Sequence, residues 1–97
     1  MPNIRFLPAA DEDYQEAYVW YRNRSERAAA RFEAEIQRAV NFIADAPDRW
    51  PISDKRHRHY TLKRYPFYVV YRWDNDCILI VAVAHVKRKP NYWVGRE

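Results

Sequence analysis

The chain has 97 residues, one glycine and one cysteine, and 17 Lys and Arg against 13 Asp and Glu give it a net charge of +4. That length means one domain, residues 1–97. A single glycine leaves no material for a glycine-rich phosphate loop, and a single cysteine excludes an intrachain disulfide and a cysteine-rich zinc site.

The first element is Asn3–Leu7, whose alternation reads as a short strand stopped by Pro8. A helix follows from Ala9 to Arg22. Asp11, Glu12 and Asp13 load its first turns, where the macrodipole favours negative charge. Ala10, Tyr14, Ala17, Tyr18 and Tyr21 recur at helical spacing, with Trp20 at the border of that stripe. Ser25 is a candidate N-cap for a second helix ending near Ala46, before Pro47. Its stripe is Ala29, Phe32, Ile36, Ala39, Val40 and Ile43, and the short connector predicts an antiparallel helical hairpin.

Asp45–Lys55 is a connector in which Trp50 is expected to anchor the loop. Arg58–Arg64 alternates weakly as a strand, and Tyr65-Pro66 interrupts it because proline donates no amide hydrogen. Phe67–Trp73 is a strong aromatic and β-branched strand. Asp74-Asn75-Asp76 is a turn. Cys77–Ala84 is almost continuously apolar and reads as a central strand with a buried, inert thiol at its start.

The order β-α-α-β-β-β gives an α+β fold, with a helical hairpin on one face of a curled, antiparallel-rich sheet. The expected core is Phe6, Tyr14, Tyr21, Phe32, Ile36, Val40, Ile43, Val69, Tyr71, Ile80 and Ala82. The second face of the sheet is expected to be open, with the His57-Arg58-His59 run solvated. His85, Lys87, Arg88 and Lys89 then leave the last strand, and Pro90, Tyr92 and Trp93 follow in a tail over 86–97.

The excess of cations favours an anionic partner, nucleic acid or acidic protein. His57, His59 and His85 make a weak metal set, so no metal and no cofactor is expected. No apolar run approaches the ~20 residues of a membrane span, and the N-terminus lacks a leader pattern, so a cytoplasmic location without membrane contact is expected.

Several local patterns, in order, carry a resemblance. They are Phe6-Leu7-Pro8-Ala9-Ala10, Trp20-Tyr21, Arg31-Phe32-Glu33, Pro47-Asp48-Arg49-Trp50-Pro51 and Leu62-Lys63-Arg64-Tyr65-Pro66-Phe67, then Ala82-Val83-Ala84-His85 and Arg88-Lys89-Pro90-Asn91-Tyr92-Trp93. Together they resemble the RelE/ParE superfamily of bacterial toxin–antitoxin toxins, and its ParE-like, plasmid-stabilisation branch most closely. The resemblance implies a toxin neutralised by a cognate antitoxin that is acidic and partly disordered, as a toxin–antitoxin hetero-oligomer or with a homodimeric toxin. The RelE branch implies cleavage of messenger RNA on the ribosome, and the ParE branch implies binding of DNA gyrase.

RNA cleavage needs a base, a cation for the phosphorane-like transition state and an acid. Laid on the RelE pattern, the second-strand cations fall near His59 and Thr61, and the third-strand arginine falls near Tyr68. Arg88 matches the fourth-strand arginine and Tyr92 the tail tyrosine. A reduced nuclease site would use His85, Arg88 and Tyr92, with His59 nearby. The eroded cation set favours the ParE-type alternative, a binding toxin that is not an enzyme, meeting its target through Lys87, Arg88, Tyr92 and Trp93. The antitoxin is expected at Trp20. A third alternative is a non-toxic relative that keeps only antitoxin binding.

Overall fold

The structure is a computed structural model that describes residues 2–96. Its elements are β1 (Asn3–Phe6), α1 (Pro8–Arg22), α2 (Glu26–Asp45), β2 (Arg58–Thr61), β3 (Phe67–Asp74) and β4 (Cys77–His85). Pro8 does more than stop β1. It starts α1, where its fixed φ suits the first helical turn and its missing N–H costs no intrahelical bond. Ser25 caps α2, its hydroxyl oxygen accepting the Ala28 N–H at 2.9 Å.

The strands form one sheet in the order β1-β4-β3-β2. β2 and β3 pair antiparallel, as do β3 and β4, and β1 joins β4 in parallel. The expected strand Arg58–Arg64 stops at Thr61, and a loop over 62–66 turns the chain into β3. The expected stripe of α2 is buried throughout, and Phe32 is its centre. The ring of Phe32 lies 4.9 Å from Tyr21, 5.8 Å from Tyr14, 5.5 Å from Tyr65 and 5.4 Å from Phe67. This aromatic knot joins both helices to the start of β3. Trp50 anchors its loop as expected, donating from its indole nitrogen to the Phe42 carbonyl at 3.3 Å and standing edge-on to Tyr60 at 4.7 Å.

Some expectations need correcting. Phe6 is 37 % exposed, because β1 is an edge strand and α1 turns away over β4 rather than over β1. Tyr14 and Tyr21 are only partly buried, and Cys77 is half-buried at the sheet rim.

The second face of the sheet is not open. Cross-strand partners share a face. Phe67 pairs with His85 and Val69 with Val83, on the side of the helices. His59 pairs with Val70, and Tyr68 with Ala84, on the other side. There Trp93, 1 % exposed, folds back against His57 at 4.8 Å, and Val70, Ala82 and Ala84 are fully covered. The His57-Arg58-His59 run is therefore not solvated. His57 is buried with its Nδ1 2.8 Å from Asp54, and His59 Nδ1 is 2.6 Å from the Ser53 hydroxyl. Burial pushes the His59 imidazole below its ordinary value.

Candidate functional site

β1 is shorter than β4, so the far half of β4 has a free edge. Leu7 N–H still donates to the Ile80 carbonyl at 2.9 Å, and past that point no strand follows among the described residues. Asp13, 8 % exposed, fills the gap from α1. Its carboxylate accepts the Val83 N–H at 3.1 Å. Arg96 completes the cap, donating to Asp13 at 2.7 and 3.3 Å and to the Val81 carbonyl at 2.9 Å. An acid and a base from distant segments thus close a sheet edge that would otherwise be a template for pairing.

The same carboxylate gathers the tail. The Tyr92 hydroxyl donates to it at 3.1 Å, and Arg88 lies 3.5 Å from it. Arg88 also stacks on the Tyr92 ring at 3.7 Å, with Arg96 at 4.9 Å from that ring. Burial, and then the Asp13 charge, push the Tyr92 hydroxyl up to about 12. Asn91 and Gly95 both hold positive φ, at 62° and 93°. These left-handed turns bring Arg96 back to Asp13, and the chain's single glycine sits at one of them.

Beside this hub, α1 and the ends of β3 and β4 enclose a groove of about 390 Å³. Ala17, Phe67 and Val83 form its floor, Trp20 and Arg88 stand in its walls, and His85 lies at the strand end. Trp20 is 52 % exposed, with the Arg24 guanidinium stacked 3.9 Å over its ring and Tyr21 edge-on at 4.9 Å. The residue expected at the antitoxin contact and two expected at the target or nuclease site therefore share one groove.

His85 sits edge-on to Phe67 at 4.9 Å, and its Nδ1 accepts the Lys87 N–H at 3.0 Å. The neutral ring then carries its proton on Nε2. Lys87 and Arg88 are exposed, Tyr92 is half-buried and Trp93 is not at the surface at all. Trp93, expected to meet a target, is a packing residue. Of the candidate nuclease residues, His85, Arg88 and Tyr92 lie close together, but His59 is on the opposite face of the sheet. Its partner Val70 and the partner of His85, Phe67, are three positions apart on β3, and odd spacing means opposite faces. No group of His, Cys, Asp and Glu among the described residues is arranged to hold a metal ion.

Asp13 is the residue at this site that sequence reasoning missed. It reads as a first-turn charge, yet its spacing from Ala10 and Ala17 places it in the apolar stripe of α1. A carboxylate in such a stripe needs a buried partner, and that was the available signal. Nothing in the sequence pointed to Arg96.

The family model described as "ParE toxin of type II toxin-antitoxin system, parDE" matches residues 4–90. The curated protein Toxin ParE2 of Mycobacterium tuberculosis, in strains CDC 1551 / Oshkosh and ATCC 25618 / H37Rv, is 27% identical over 89 residues, covering 91% of this chain and 85% of that one. A solved chain described as "Chromosomal ParDE TA system from P. aeruginosa" has the same fold, with a TM-score of 0.75 at 21% identity over 88% of this chain and 96% of that one.

Proposed function

Because this chain belongs to the ParE toxin family of type II toxin–antitoxin systems, we propose that it acts by binding a protein target, DNA gyrase, and not by cutting RNA. It is the toxin of such a module and has a cognate antitoxin as its partner. The observation that carries the target reading is the state of Arg88. Its guanidinium is already engaged by Asp13 and Tyr92, and His59 lies across the sheet from His85. A binding surface tolerates that arrangement. A nuclease needs base, cation and acid converging on one phosphate.

In this reading the target meets Lys87, Arg88 and the exposed side of Tyr92. The antitoxin, an acidic and partly disordered chain in the cytoplasm with the toxin, orders a segment against Trp20 in the groove. Seated there, it also covers His85 and Arg88, so neutralisation is occlusion of the target surface. Purified toxin is expected to inhibit gyrase supercoiling and to accumulate cleaved gyrase–DNA complexes, and antitoxin is expected to restore activity. Full supercoiling at a large molar excess of toxin excludes gyrase as the target. Trp20→Ala is expected to weaken antitoxin binding while the fold holds, and an unchanged affinity moves the contact elsewhere.

The nuclease alternative retains one supporting observation, the shared position of His85 and Arg88 in the groove. It requires new cuts within codons of translated messages after induction, lost in His85→Ala. Harmless induction without antitoxin would instead indicate a relative that only binds antitoxin.

A further inference from the structure

One end of the sheet concentrates charge that the toxin reading uses only in part, through Lys87 and Arg88. The 62–66 loop between β2 and β3 reads Leu-Lys-Arg-Tyr-Pro, and the turn after β4 reads Val-Lys-Arg-Lys-Pro over 86–90. These segments hold five cations and no carboxylate. The fold makes them neighbours, since the Val86 N–H donates to the Pro66 carbonyl at 2.9 Å. The end of α1 joins them through Tyr21, whose ring is 5.3 Å from Tyr65, and Arg24 follows three residues on, stacked over Trp20. Arg24, Lys63, Arg64, Lys87 and Lys89 are all exposed. None of them has a carboxylate within ion-pair distance among the described residues.

We propose that this rim binds the phosphodiester backbone of a nucleic acid. It goes beyond the toxin reading and does not depend on which protein is the target. Unpaired cations clustered at one pole set up a local positive potential, and phosphates that replace their counterions release them with a gain in entropy. The rim suits phosphate better than an acidic peptide. A peptide that orders on binding needs an apolar seat or a strand edge. Here Leu62 and Phe67 are buried, Pro66 and Pro90 have no N–H to offer, and Val86 is the exposed aliphatic. The apolar seat lies in the groove beside Trp20.

The test is fluorescence anisotropy of the full chain, freed of antitoxin and with no gyrase present, titrated onto a labelled random duplex of about 20 base pairs. Binding is expected in the range of about 10⁻⁴ to 10⁻⁶ M near physiological salt. About four neutralised phosphates give a log–log salt slope near −4, so affinity falls roughly 200-fold between 50 and 200 mM salt. Lys63→Gln with Lys89→Gln is expected to reduce that slope by about two. Arg27→Gln with Arg38→Gln, on the exposed side of α2, is the control and is expected to leave the slope unchanged. A single-stranded RNA of equal length identifies the source, since either the duplex or the RNA binding more tightly supports backbone recognition. Absence of binding at 50 mM salt overturns the proposal. So does an equal effect in the control pair. A rim variant, folded by circular dichroism, that binds nucleic acid like wild type but loses antitoxin also overturns it and assigns the rim to the peptide.

Discussion

Replacing Asp13 with asparagine is the most incisive perturbation of this fold. The carboxylate accepts from the Val83 backbone, the Tyr92 hydroxyl and both terminal nitrogens of Arg96, with Arg88 3.5 Å away. Asparagine keeps one acceptor oxygen and turns an NH₂ group toward donors. Hydrogen bonds to a charged group are worth about 1.5–3 kcal/mol each, and breaking a buried pair costs about 3–5 kcal/mol. The Arg96 side chain keeps 18% of its exposure, so its stranded charge is partly solvated. The expected loss is therefore about 2–4 kcal/mol. For a domain of this size that is a fall in melting temperature of roughly 10–25 °C. Thermal unfolding followed by circular dichroism measures it, and a cycle with Arg96→Gln isolates the pair. The double variant should lose about 1–3 kcal/mol less than the sum of the single changes. Melting within about 2 °C of wild type, or strict additivity, would falsify the role given to Asp13.

Phe32→Ala removes the centre of the aromatic knot and should cost about 3–5 kcal/mol, and a melting shift of only a degree or two would show that the ring is not core. Tyr14, Tyr71 and Tyr92 are each raised to about 12, chiefly by burial, from an ordinary value of 10.0. The folded state then holds protons that the unfolded state releases, so their contribution is complete below pH 10 and is lost as pH rises toward 12. Unfolding measured between pH 9 and pH 12 should show that loss, and Tyr92→Phe should reduce it. Arg88→Ala should abolish toxicity while staying folded, since its side chain is half exposed, and growth after induction reads the result. His85→Gln should remain toxic in the binding reading, and its loss of toxicity would favour the nuclease.

The helices were legible because α2 repeats its apolar residues with helical period from Ala29 to Ile43 and carries a serine cap at Ser25. The core strands β3 and β4 were legible from their composition. The faces of β4 were not. Val70 pairs with Ala82 but Tyr71 pairs with Ile80, so Val81 is an extra residue that reverses the alternation. Counting outward from Ile78 puts His85 on the wrong side, toward the face that was expected to be open. The tail was equally opaque. Trp93 reads as a surface aromatic beside three cations, and only its burial against His57 shows that it comes back to roof the sheet. For the candidate site, Trp20, His85 and Arg88 stood out as residue types, while their meeting in one groove depended on the register of β3 and β4.

The pairing of β1 with β4 has a consequence for the order in which the molecule can assemble. Among the described residues β1 has no other strand neighbour, and the Asp13–Arg96 contact joins positions 83 residues apart. The helical hairpin makes mostly local contacts and can form early, but its apolar stripe must wait for strands that emerge later from synthesis. A chain interrupted before β4 has no closed sheet, no cap on its edge and no wall of arginine beside Trp20. Such a fragment is expected to be unfolded and harmless, so a premature stop anywhere before β4 is expected to disarm the toxin.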